Sequence, residues 1–142
     1  MCVALLAQRA APIIGACEST DGATAERAPS RRRCTDCQAL TGTAFRVTVK
    51  VPAERFVLRG KPTVYVKTAD SGRRRAHAFC PTCGSPIYAT SADDPRVYGL
   101  QVGTIRQRHD LPPRRETWCA SALPWSTNLE ALALERHERQ PS

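Results

Sequence analysis

Two Cys-x-x-Cys pairs carry the residues whose type and spacing could do chemistry: Cys34 and Cys37 in "CTDC", and Cys80 and Cys83 in "CPTC". Such a turn sets two sulfurs on one side of a short loop. It supplies half of a tetrahedral zinc site, where each Zn–S bond is about 2.3 Å. The same spacing also makes a redox dithiol, which usually opens a helix after a strand. Gly-Ser-Pro follows Cys83 and argues against a helix there, so metal is the reading for the second pair. Pro81 stiffens that turn, and Gly84 allows close backbone approach and amide donation to sulfur. Residues 38–79 separate the pairs, a longer insert than the roughly 15–20 residues of a simple zinc ribbon. One shared zinc therefore requires hairpins in the insert. The alternative is two sites, each completed from elsewhere.

The chain has seven cysteines, an odd number, and four of them fall in the two pairs. A disulfide framework would be even and spread out, so the pattern reads as metal binding in a cytoplasmic protein. Cys119, beside Trp118, reads as a buried thiol, and Cys2 as incidental. His77, His109 and His137 are isolated and read as structural or surface residues. The net charge is +8, much of it from the triplets Arg31–Arg33 and Arg73–Arg75. That balance fits nucleic acid, an anionic membrane surface or an acidic small substrate, and it also fits plain solvated arginines. The aromatics of a base-stacking surface are missing: Tyr65, Phe79, Tyr88 and Tyr98 fall on expected strands and read as core. No run approaches 18 apolar residues, so no membrane span is expected. The first residues carry no basic region ahead of an apolar one, so no signal peptide is expected.

These cysteines must be positioned by a fold of about one domain, given 142 residues. "TAFRVTVKV" (43–51) alternates, with Phe45, Val47, Val49 and Val51 on one face and Arg46, Thr48 and Lys50 on the other. Further strands are expected at 56–60, 63–68, 76–80, 85–91 and 96–103, and a last short one within 116–121. Residues 69–75 read as a hairpin loop. Residues 128–138 allow a short C-terminal helix. Residues 1 to about 30 show neither strand alternation nor a sustained helical face. The expectation is a mainly β, folded-over sheet built from hairpins.

From Cys34 onward the chain resembles the glutathione-dependent formaldehyde-activating enzyme family, which also includes centromere protein V. "CTDCQALTGTAF" is similar to the family's Cys-x-x-Cys-(Gln/Arg)-x-x-Thr-Gly-(Ser/Thr)-x-Phe. "VPAERFVLRGKPTVYVKTADSGRRRAHAFCPTCGSPIY" resembles its middle section, and "VGTI" with Trp118 and Trp125 its close. The resemblance covers about residues 34–135. It implies a zinc-binding, mainly β domain of the Mss4-like type, with residues 1–33 as an atypical, weakly ordered or frameshifted segment and 136–142 as a tail. It implies zinc as cofactor and glutathione or another small thiol, plus formaldehyde or a related aldehyde, as partners. The implied activity is that of a carbon–sulfur lyase forming S-(hydroxymethyl)glutathione.

Family members hold a structural zinc on Cys-x-Cys plus the later Cys-x-x-Cys, and a catalytic zinc on Cys-x-Cys-x-x-Cys. By that resemblance Cys80 and Cys83 are half of the structural site, and Cys34 and Cys37 are two of three catalytic ligands. Arg32 stands in place of the third, and Arg33 where His is frequent. Cys17 matches the first cysteine of the N-terminal motif, while Ser19 replaces the second. A two-thiolate site binds zinc far more weakly than a complete one, so loss of activity is the competing expectation. The alternative function is a non-catalytic basic zinc module that binds nucleic acid or a protein partner.

Overall fold

A computed structural model of the chain describes residues 28–69 and 71–140. Seven strands form one sheet: β1 (Ser30–Arg32), β2 (Arg46–Pro52), β3 (Thr63–Thr68), β4 (Arg74–Phe79), β5 (Pro86–Ser91), β6 (Val97–Gln101) and β7 (Arg115–Thr117). Their order is β3-β4-β5-β6-β2-β1-β7, antiparallel throughout except for the parallel β1–β7 pair. Among the described residues one α-helix, α1 (Thr35–Thr41), links β1 to β2. The fold is mainly β, as the alternating segments predict.

Register sorts the side chains. Val49 pairs with Leu100, Leu100 with Tyr88, and Tyr88 with Ala78, so one face is continuously apolar. These residues, with Val51, Val102 and Leu111, are the core. Phe56, Tyr88 and Tyr98 pack within it, with ring centroids 4.4–5.5 Å apart. Arg46, Thr48, Gln101, His77 and Tyr65 lie on the opposite face, where alternation predicts solvent. Arg46 and Thr48 are nevertheless buried.

Curling of the sheet explains this. Strands stand about 4.8 Å apart, so β1 and β3, five positions apart, would be about 24 Å apart in a flat sheet. Yet Asp36, four residues after β1, forms an ion pair with Lys67 of β3. The polar face is therefore concave, and α1 lies over it.

Several expectations need correction. Residues 56–60 form no strand: after a 3-10 turn (Ala53–Arg55), Phe56 and Leu58 cover the core as loop residues instead of pairing. The expected last strand stops at Thr117, because Trp118 takes a left-handed conformation (φ 63°) and a 3-10 turn follows at Cys119–Ser121. Cys119 is consequently exposed, not a buried thiol. The C-terminal helix reduces to one 3-10 turn, Leu129–Ala131. Leu129 and Leu134 remain exposed and only Leu132 is half-buried, too little apolar burial to hold a longer helix. Strand β1 was not legible, since three polar residues show no alternation. The reading of residues 1–27 as weakly ordered or frameshifted, and Cys2, Cys17 and Ser19 with it, lies outside the described residues.

Candidate functional site

The arginine triplet is divided by strand alternation. Arg31 and Arg33 share one face of β1, and both pair with Glu116, next door on β7. Arg33 is 1% exposed. Its Nε and Nη2 donate to the Glu116 carboxylate at 3.2 and 3.4 Å, and its Nη1 donates to Ser126 Oγ at 2.7 Å and to Ser126 O at 3.2 Å. Phe45 lies under both guanidinium groups, 5.1 and 5.8 Å from its centroid. Arg33 thus ties β1 to β7 and to the turn at Pro124–Ser126. Arg32 projects to the other, concave face, directly across from Arg46.

Cys34 caps α1 and Cys37 is buried in its first turns, so "CTDC" opens a helix directly after a strand. The sequence reading placed these sulfurs on a simple turn. Other motif residues are structural. Gln38 Nε2 donates to Arg33 O and Ser121 O at 2.8 and 2.9 Å, pinning α1 to the C-terminal segment. Thr41 Oγ1 donates to Cys37 O at 2.7 Å. Gly42 ends the helix in the left-handed conformation (φ 65°), its N–H donating to Gln38 O at 2.8 Å.

On the described residues the first pair supplies two sulfurs of a zinc site and no third ligand. The two sulfurs lie 2.9 Å apart and share a hydrogen bond. Burial and that hydrogen bond push the Cys37 thiol up to about 11, against the opposing pull of Arg46 and Arg32. Among the described residues no three His, Cys, Asp or Glu side chains gather where a metal could be held, at this pair or elsewhere. Among the described residues the four paired cysteines form no single cluster.

The second pair fits half a site. Cys80 and Cys83 lie in a turn between β4 and β5, half-buried and exposed respectively. Gly84 adopts the left-handed conformation (φ 70°) that only glycine takes without strain, and its N–H donates to Cys80 O at 2.9 Å. Cys80 N–H donates to Ser85 O at 2.9 Å, and Cys83 Sγ lies 3.1 Å from Ser85 Oγ. This backbone holds two sulfurs with no helix, as the Gly-Ser-Pro sequence predicts. Further ligands must come from outside the described residues.

A cavity of about 310 Å³ is lined by Thr41 of α1, Arg46, Tyr65, His77, Gln101 and Gly84 of the second turn, with none of the four paired cysteines in its wall. Burial, then Arg46 and Arg75, push His77 down to about 4; Asp36 opposes and Lys67 adds to the fall. His77 is a neutral donor or acceptor at physiological pH. Sequence reading took it as an isolated histidine, and took Tyr65 and Phe79 as core; all three line the cavity, and Tyr65 is largely exposed. Arg46 was also missed as a site residue. Its place on the polar face of the strand following "CTDCQALTG" was the available signal. His109 and His137 are exposed, as expected.

No curated protein matches the chain. A family model described as "Glutathione-dependent formaldehyde-activating enzyme" matches residues 16–121, well over half of the chain and across both cysteine pairs. The chain belongs to the glutathione-dependent formaldehyde-activating enzyme family.

Proposed function

We propose that this chain is a thiol- and aldehyde-binding member of its family, with zinc confined to the Cys80/Cys83 turn and carbon–sulfur lyase chemistry lost. The observation that carries this reading is the surroundings of Cys34 and Cys37. Arg32 supplies a cation where a third sulfur would be needed, and no other ligand stands beside the pair among the described residues. Cys17 is the candidate to join Cys80 and Cys83, as the remaining cysteine of the N-terminal motif. When bound there, zinc supplies a structural cross-link between the sheet and the preceding segment.

The chain's own residues would bind and orient small molecules in the cavity. Leu40 and Phe79 give apolar walls, and Tyr65, His77 and Gln101 offer hydrogen bonds. Two Cys-x-x-Cys pairs in one chain suit a reducing compartment such as the cytoplasm. Among the described residues no helix is long and apolar enough to cross a membrane. The nucleic-acid alternative loses its main support, because Arg31 and Arg33 are engaged with Glu116 inside the fold.

The test is formation of S-(hydroxymethyl)glutathione from formaldehyde and glutathione, followed by NMR exchange. The expected result is exchange no faster than in buffer. Acceleration by catalytic amounts of the native chain would overturn the reading.

A further inference from the structure

The fold gives the first cysteine pair a setting that spacing alone left open. β1 (Ser30–Arg32) runs directly into α1 (Thr35–Thr41), with Cys34 as the N-cap residue and Cys37 inside the helix. A Cys-x-x-Cys that opens a helix after a strand is the arrangement of redox dithiols. The second pair lacks it, since Cys80 and Cys83 occupy a helix-free turn. Cys34 Sγ donates to Cys37 Sγ at 2.9 Å, so the two sulfurs are already in contact. A disulfide bond is about 2.05 Å long, so joining them needs roughly 1 Å of further approach. The frame around them is fixed. Gln38 bonds Arg33 O and Ser121 O at 2.8 and 2.9 Å, Asp36 pairs with Lys67, and Gly42 closes the helix. Exposure separates the two thiols. Cys37 is 3% exposed while Cys34 is half-buried, so an outside reagent reaches Cys34 first.

We propose that Cys34 and Cys37 are a thiol–disulfide exchange pair for low-molecular-weight disulfides, with Cys34 the attacking thiol and Cys37 the resolving one. Cys34, as the thiolate, attacks one sulfur of an external disulfide R–S–S–R, and one R–S⁻ leaves. The mixed disulfide on Cys34 then lies beside Cys37. Cys37 gives its proton to solvent and attacks Cys34 Sγ, and the second R–S⁻ leaves. Two protein thiols are oxidised to one disulfide, and one external disulfide is reduced to two thiols. The protons lost by the cysteines end on the leaving thiolates. An excess of small thiol runs the same steps backwards and restores the dithiol. The half-buried position of Cys34, over the enclosed Cys37, selects a small reactant. The inference rests on the reading that zinc does not hold this pair, which two sulfurs and no third ligand among the described residues support. It concerns electron transfer at sulfur and is independent of aldehyde addition.

The experiment equilibrates the full native chain, with whatever zinc it holds, in mixtures of 2-mercaptoethanol and its disulfide near neutral pH. The samples are alkylated, cleaved with trypsin and read by mass spectrometry. Cleavage after Arg33 and Arg46 isolates Cys34 and Cys37 on one peptide, residues 34–46, and cleavage after Arg75 and Arg96 isolates Cys80 and Cys83 on another, residues 76–96. The 34–46 peptide passes from two alkylated thiols to an internal disulfide. Its oxidised share rises from about 10% to 90% over about a 100-fold change in the ratio of disulfide to squared thiol concentration, as a single two-electron couple does. The 76–96 peptide stays alkylated, and a chromogenic chelator registers no zinc freed as 34–46 oxidises. The disulfide of 2-mercaptoethanol leaves one hydroxyethylthio group on Cys34 of Cys37→Ser, and it modifies Cys37 of Cys34→Ser at least about tenfold more slowly. If either variant does not fold, the native-chain titration decides alone. The proposal is overturned if 34–46 keeps its dithiol at the highest disulfide excess, or if folded Cys34→Ser reacts as fast as folded Cys37→Ser. With 34–46 unoxidised, one zinc or none per chain limits the failure to this proposal, while two zincs carry it to the proposed function as well. Zinc freed in step with oxidation of 34–46 places metal on the pair and overturns both.

Discussion

Alternation along β1 sends Arg31 and Arg33 to Glu116 and Arg32 toward Cys37, so three identical neighbours have two unrelated duties. Glu116→Gln leaves the enclosed Arg33 without its charged partner. It should lower unfolding stability by about 1.5–3 kcal/mol, the worth of hydrogen bonds to a charged group, seen as a lower urea midpoint at unchanged slope. Arg46→Met should act oppositely. It removes a buried, unpaired cation and its repulsion with Arg32, so the melting temperature of the ligand-free chain should rise. A fall would show that the stem of Arg46 matters more for packing than its charge costs. His77 gives the pH dependence. Its folded value, about 4, lies below the ordinary 6.5 because of burial and of Arg46, Arg75 and Lys67, with Asp36 opposing. Folding therefore favours the neutral ring. That contribution is complete above pH 6.5 and is lost as pH falls from 6.5 toward 4. Thermal melts should show an acid-side loss across this window that is smaller in His77→Gln.

Each cysteine pair depends on its own kind of element. The second rests on Gly84, where a Cβ would meet nothing within 4 Å, so substitution is opposed by backbone conformation alone. Gly84→Ala should cost about 1–2 kcal/mol of stability and weaken zinc retention, measured by competition with a chelator. The first pair rests on α1, whose start at Cys34 was not legible because Thr35, Asp36 and Cys37 are weak helix formers. Tertiary contacts override that weakness: Gln38 ties the helix to Ser121, and Asp36 to Lys67. Strands β2, β5 and β6 were legible because Val49, Val51, Tyr88 and Leu100 alternate and are buried. β1 and β7 were too short to carry a period. Residues 56–60 carried the composition of a strand, but Phe56 and Leu58 are used to cover the core.

For the whole molecule, the polar face became a site because the sheet curls, and curl leaves no trace in local alternation. The sequence therefore identified Cys34, Cys37, Cys80 and Cys83 as chemistry but could not bring Arg46, Arg75 and His77 together; these come from β2 and β4, which are separated in the sheet by β5 and β6. The +8 charge, which first suggested nucleic acid, is partly consumed by Glu116. Family membership, spanning residues 16–121, fixes the chemistry to compare against. The central claim is that the Cys34/Cys37 site is truncated by Arg32 while the Cys80/Cys83 turn still holds metal. Zinc content of the purified native chain and of Arg32→Cys, measured by plasma mass spectrometry, tests it most directly. The account predicts about one zinc per native chain, and about one more when the variant restores a third thiolate. About two zincs in the native chain, or none, would contradict it.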